Sequence, residues 1–293
     1  MRECLEKSIE QFAPPQILYR DIIKRALFED IDHGDITTTL VVPFEKKGVA
    51  QIVAKEEGVI AGLFIIKELF KQVDREVKVL PLLKEGSLFQ PKDVLVQLEG
   101  RLSSILLGER VALNFIQRLC GIATLTKKAV EKIKDLPARL VCTRKTTPGL
   151  RILEKYAVRV GGGLNHRFNL SDGILIKDNH IAACGSITDA VKMAKAFAPH
   201  TLKIEIEVSD LKGANEAVEA GADAILLDNM DFPTLKQAVK MVKNKNPQVL
   251  LEASGGVTLE NIRDFALTGV DIISSGALTH SYKSIDLSLK VHL

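Results

Sequence analysis

The chain has 293 residues, 46% hydrophobic and 26% charged, a composition that suits a globular protein with one large core or two ordinary ones. Its net charge of +3 is too mild for a nucleic-acid binder, which needs a dense basic face. No apolar run reaches the roughly 18 residues that span a bilayer. The N-terminal MRECLEKSIEQFAPP carries acids and lacks the apolar stretch of a secretory signal.

A lead-in helix is predicted over Ile17–Phe28, and then a turn through Asp30 to Asp35. There an Asx-turn accounts for His33 and Asp35 as well as a functional role would. Short alternating runs give strands at Val49–Ala54, Gly58–Gly62, Val77–Leu83 and Val94–Leu98. Leu63–Val73 carries Leu63, Ile66, Phe70 and Val73 on one helical stripe. Two more helices are predicted, Leu106–Leu119 and Ile122–Lys134, with Arg110 and Arg118 of the first read as surface cations. Residues 1–115 therefore read as a small α+β unit with mostly antiparallel strands.

After Pro137 the rhythm changes. Apolar strand-like runs recur at 140–141, 174–176, 204–208, 224–227, 249–251 and 272–273. Helical segments separate them, at 187–197, 211–220, 234–242 and 259–267. Such alternation predicts a parallel sheet with crossover helices. Six strands that each end in polar residues favour a closed or nearly closed (β/α) barrel over an open doubly wound sheet, and no GxGxxG turn follows the first strand. The barrel is placed at 116–293, with the C-terminal tail available to pack back on the first domain. Cys4, Cys120, Cys142 and Cys184 show no CxxC spacing, so reduced thiols in a cytoplasmic protein are expected.

In a parallel barrel the site forms where the strands end. Those ends supply Arg144 and Lys145, then Lys177, Glu207 and Asp228, and last Ser254-Gly255-Gly256 and Ser274-Ser275-Gly276. The cations cluster at strand ends instead of following helical spacing, so they are not simply a solvated face. Arg suits two-point recognition of a carboxylate or phosphate. Gly/Ser loops that open helices suit a phosphate. Glu207 and Asp228 either hold Mg²⁺ or sugar hydroxyls, or form salt bridges with Lys177 or Lys203. The residues alone thus indicate a barrel enzyme for a phosphorylated sugar and a second anionic substrate, and leave the reaction open.

Motifs along the chain narrow the choice. They include GDITT (34–38), EGVIAG (57–62), ERVALN (109–114), GIAT (121–124) and TRKTTPGLR (143–151). Further on come NHR (165–167), IKDNH (176–180), EIEV (205–208), LLDN (226–229), ASGGV (253–257) and GALTHS (276–281). In these the chain resembles the quinolinate phosphoribosyltransferase family over nearly its whole length. The resemblance implies transfer of phosphoribosyl from 5-phosphoribosyl 1-pyrophosphate to quinolinate, with Mg²⁺ and loss of CO₂, in NAD biosynthesis. It also implies an N-terminal α+β sandwich domain followed by a C-terminal irregular or open (β/α) barrel, and a homodimer in which Arg110 acts across the interface. Arg144, Arg167, Lys177 and the partner copy's Arg110 would clamp the two carboxylates, with Lys145 and His166 beside the substrate or the pyrophosphate. Glu207 and Asp228 would hold ribose and Mg²⁺. Ser254, Gly255, Ser275, Gly276 and His280 would hold the 5-phosphate. Other readings on this fold are a relative acting on another pyridine and a Schiff-base lyase using Lys145 or Lys177; a non-catalytic ligand-binding protein is a third.

Overall fold

The structure, a computed structural model, describes residues 9–292; Cys4 and residues 1–8 of the N-terminal segment lie outside the described residues. In chain order the elements begin with α1 (Arg20–Ile31), α2 (Ile36–Val41), β1 (Lys47–Ala54), β2 (Gly58–Val59), α3 (Leu63–Val73), β3 (Lys78–Pro81), β4 (Leu88–Phe89), β5 (Val94–Arg101) and α4 (Leu102–Ile133). They continue with β6 (Arg139–Val141), α5 (Arg151–Val160), β7 (Ile174–Ile176), α6 (Asp178–Cys184), α7 (Ile187–Phe197), β8 (Ile204–Val208), α8 (Leu211–Ala220) and β9 (Ala224–Asp228). The last are α9 (Phe232–Lys245), β10 (Leu250–Ser254), α10 (Ile262–Ala266), β11 (Ile272–Ser274), α11 (Ala277–His280) and β12 (Leu287–His292).

The chain folds as two compact units. The first takes the described residues up to Lys127 together with Thr146–Gly162 and the tail from Ser281; the second takes Lys128–Lys145 and Gly163–His280. The division expected at 115/116 is therefore displaced, and the TRKTTPGLR stretch is shared between the units. The cause is α4, where two helices were expected and one continuous helix of 32 residues is found. Gly121 does not break it. A Cβ there would lie 2.3 Å from the Lys283 carbonyl oxygen, so this glycine permits a close backbone approach within the first unit.

The first unit is built on an antiparallel sheet of order β12-β1-β5-β3, in which the C-terminal strand closes one edge against β1. The lead-in helix begins later than expected, as α1, with Ile23 and Leu27 buried one turn apart. The Asp/Thr cluster is a helix start: the Asp35 carboxylate accepts the Thr38 N–H at 2.9 Å and caps α2. His33 is exposed beside Asp32. Arg118, expected on the surface, instead pairs at 2.6 Å with the fully buried Glu154.

The second unit is the expected barrel-like sheet. Its six parallel strands run in the order β6-β11-β10-β9-β8-β7, and they coincide with the six apolar runs in the sequence. Among the described residues β6 and β7 are edges, so the barrel is open between them. A single parallel bridge, Val141 to Leu164, extends the β6 edge. No helix among the described residues is long and apolar enough to cross a membrane.

Candidate active site

The bridge at Leu164 positions the first group of side chains. Leu164 donates its N–H to the Leu140 carbonyl at 2.8 Å, and Cys142 donates to the Leu164 carbonyl at 3.1 Å. The segment after Gly163 thus runs along β6 and delivers His166 and Arg167 to the end of the strand that carries Arg144. Both guanidiniums are half-buried. Burial, and then the like charge of Arg144, hold the Arg167 guanidinium below its ordinary range, with the Glu205 carboxylate partly offsetting them. Arg167 Nη1 donates to the Gly173 carbonyl at 2.9 Å, while its buried Nε has no hydrogen-bond partner among the described residues.

Lys145 is exposed, but its backbone is anchored. Its N–H donates to Thr143 Oγ1 at 3.0 Å, and its carbonyl accepts from Thr279 Oγ1 at 2.7 Å. A Cβ on Gly276 would stand 3.0 Å from Lys145 Cδ and 2.9 Å from His280 Nε2. Lys145, Gly276 and His280 are therefore one cluster, brought together because β6 pairs with β11.

Lys177 caps α6, and its N–H donates to His180 Nδ1 at 2.8 Å, which gives the KDNH run a local structural job. Its ammonium pairs with Glu207 at 2.5 Å, so the salt bridge considered from sequence is present. Asp228 accepts from Asn229 Nδ2 at 2.7 Å. Glu207 and Asp228 line one cavity of about 520 Å³, together with Asp178 and Asp210.

Asn229 takes a left-handed φ of 54° and donates its N–H to the Ser254 carbonyl at 2.9 Å. Gly255, at φ 99°, has no room for a side chain, since a Cβ would meet Asn229 Oδ1 at 2.2 Å. The Ser254–Gly256 loop passes through a turn before α10 and so does not itself open a helix, whereas Gly276 stands directly before α11. Ser275 is buried, and its hydroxyl donates to the Val257 carbonyl at 3.2 Å. That hydroxyl is thereby committed to the scaffold. Arg110 is the one expected site residue in the first unit, exposed on α4.

One cluster was not found from sequence. Glu205, Glu252 and His166 bring their polar atoms within 4.8 Å of one another in the second unit. His166 Nε2 lies 3.1 Å from a Glu205 oxygen and 3.7 Å from one of Glu252. Burial, and then the charge of Glu205, push the Glu252 carboxyl up to about 7, with His166 opposing them. The alternation Ile204-Glu205-Ile206-Glu207-Val208 held the signal: if Glu207 faces the site, so does Glu205. Glu252 gave none, as one acid in an apolar run. Cys120 and Cys142 are buried thiols, and burial pushes Cys120 up to about 12, far from nucleophilic.

Comparisons with known proteins give the chain its family. Residues 35–120 match the family described as Quinolinate phosphoribosyl transferase, N-terminal domain, and residues 122–290 match its C-terminal domain. A probable nicotinate-nucleotide pyrophosphorylase (carboxylating) of Bacillus subtilis (strain 168) is 47% identical over 274 residues, covering 94% of this chain and 93% of that protein. The crystal structure of NadC from Streptococcus pyogenes superimposes with a TM-score of 0.90 at 42% identity, covering 95% of this chain and 98% of that one. The nicotinate-nucleotide pyrophosphorylase from Francisella tularensis gives 0.91 at 38% identity, covering 98% and 99%. With both domains matched in order, this chain belongs to the quinolinate phosphoribosyltransferase family.

Proposed function

We propose that the strand ends of the second unit transfer the phosphoribosyl group of 5-phosphoribosyl 1-pyrophosphate to quinolinate, releasing pyrophosphate and CO₂ and leaving nicotinate mononucleotide, an NAD precursor. The observation that carries this reading is the Arg144–Arg167 pair. Two half-buried guanidiniums that oppose each other's charge are a standing demand for an anion with two negative groups. Quinolinate offers adjacent carboxylates. Lys177 stands ready to share in the clamp by exchanging its contact with Glu207.

The ring nitrogen attacks the anomeric carbon as the bond to pyrophosphate breaks, and positive charge grows on the ribose. The carboxylates of Glu207 and Asp228 offset that charge once Lys177 has exchanged its contact with Glu207. Lys145, beside Gly276 and His280, supplies a cation to the phosphate side. Ser254, Gly255 and Gly276 give backbone that a phosphate can approach closely. Once the nitrogen is quaternary, the cationic ring accepts the electron pair left by CO₂, and a proton then takes its place. Orientation supplies much of the rate.

Glu207 and Asp228 present hard carboxylate oxygens to one cavity, a donor set that suits Mg²⁺, which would neutralise charge on the departing pyrophosphate. A second copy of the chain completes the reading. Ile36, Leu40, Val41 and Phe44 are each at least 69% exposed, an apolar surface that a partner copy would cover, and Arg110 is exposed on α4.

The test is an assay of purified protein with Mg²⁺ and phosphoribosyl pyrophosphate, offering quinolinate or nicotinate in separate reactions. CO₂ and nicotinate mononucleotide from quinolinate alone are expected. Turnover of nicotinate, or of neither, would refute the assignment.

A further inference from the structure

The interior cluster of Glu205, Glu252 and His166 has the composition of a metal site, and its hydrogen bonds argue otherwise. His166 Nδ1 accepts the Arg167 N–H at 2.7 Å, so the ring carries its proton on Nε2, the atom that faces Glu205. A metal on Nε2 would need that proton gone and would leave the ring with no N–H at all. Metal-bound histidines do the reverse and donate from the second nitrogen. The cluster is a hydrogen-bonded hub.

Its members come from three places. Glu205 stands on β8 and Glu252 on β10, with β9 between them, so the two meet across the concave inside of the sheet. His166 arrives on the segment that bridges to β6. Glu252 is 2% exposed, and its Oε1 has no hydrogen-bond partner among the described residues. A carboxylate so buried would be costly if charged, and sharing a proton with Glu205 removes that cost. The Glu205 carboxyl group meets the His166 N–H and favours the Arg167 cation.

We infer that Glu205 and Glu252 are positioning residues for the dicarboxylate clamp: Glu205, backed by Glu252, fixes the His166 ring, and the ring fixes the Arg167 backbone so that its guanidinium stays beside Arg144. The inference rests on the proposed function, since it assigns a quinolinate-specific role. Glu205 and Glu252 do not themselves touch the substrate, and phosphoribosyl pyrophosphate has no part in the linkage.

Steady-state kinetics of the whole enzyme test it, with each substrate varied in turn and folding checked by thermal melts. Glu205→Gln keeps the shape and loses the charge. Its KM for quinolinate should rise at least roughly tenfold, the scale of a lost hydrogen bond to a charged group. Its KM for phosphoribosyl pyrophosphate should stay within about twofold. Glu252→Gln imitates a protonated carboxyl and should leave both KM values within about twofold of wild type, whereas Glu252→Leu should raise that for quinolinate about tenfold. If Glu205→Gln does not fold, the contrast between the two Glu252 variants carries the test. Unchanged quinolinate KM in Glu205→Gln, equal losses for both substrates, or Glu252→Gln as impaired as Glu252→Leu would overturn the inference. A wild-type enzyme inactive on quinolinate would sink the proposed function instead, so the two failures are distinguishable.

Discussion

β8 has two faces that the protein uses for different ends. Ile204, Ile206 and Val208 are buried beneath the flanking helices α7 and α8, and Ile206 is wholly inaccessible. Between them Glu205 and Glu207 present carboxylates to the other face, where His166 and Lys177 meet them. An apolar face asks only for volume and shape from its neighbours. A face of carboxylates asks for particular partners, because an unpaired buried charge is far more costly than a packing defect. The inner face of this strand therefore commits residues dozens of positions away, on the segments after β6 and β7. The outer face commits nothing beyond hydrophobic bulk.

The largest separation between the faces should come from Ile206→Ala. Truncating a fully buried isoleucine costs about 2–4 kcal/mol of stability through lost burial and a residual cavity. The KM for quinolinate, measured on the folded fraction, should not move. A selective rise in that KM would mean that the outer face also shapes the site, and the contrast drawn here would fail.

The inner face answers to pH. Glu252 has a carboxyl raised by burial from the ordinary 4.5 to about 7, so the folded protein holds a proton that the unfolded chain gives up. The resulting stability is fully present below about pH 4.5 and is lost as pH rises through about 7. Its size is roughly 3 kcal/mol, spread across that window. Urea melts from pH 5 to 8 should show the decline in wild type and a flatter profile in Glu252→Gln. Parallel profiles would place the proton elsewhere.

These faces also mark how far the sequence could be read. All six barrel strands were legible, because each is an apolar run that stops at polar residues. The cations and Gly/Ser loops at those stops were legible for the same reason. α4 was not, because Gly121 looks like a break in one dimension and proves to be a close approach to the Lys283 backbone. The role of Arg118 was hidden likewise, since its partner Glu154 lies 36 residues on. Glu252 was hidden by its surroundings: in LLEAS it is one acid among apolar residues, and only the curvature of the sheet brings it to Glu205.

Ser275 draws the line between the faces most finely. In sequence it belongs with the phosphate loop, one position before Gly276. In the fold its hydroxyl points away from that task and donates to the Val257 carbonyl, while its N–H donates to Val141. Ser275→Ala removes only the hydroxyl bond, and the backbone bond to β6 survives. The expected cost is about 1 kcal/mol of stability, the net worth of one neutral hydrogen bond with an acceptor left behind. The KM for phosphoribosyl pyrophosphate should stay within about twofold. A tenfold rise in that KM with stability unchanged would move Ser275 to the binding face, and with it the boundary between scaffold and site at the end of β11.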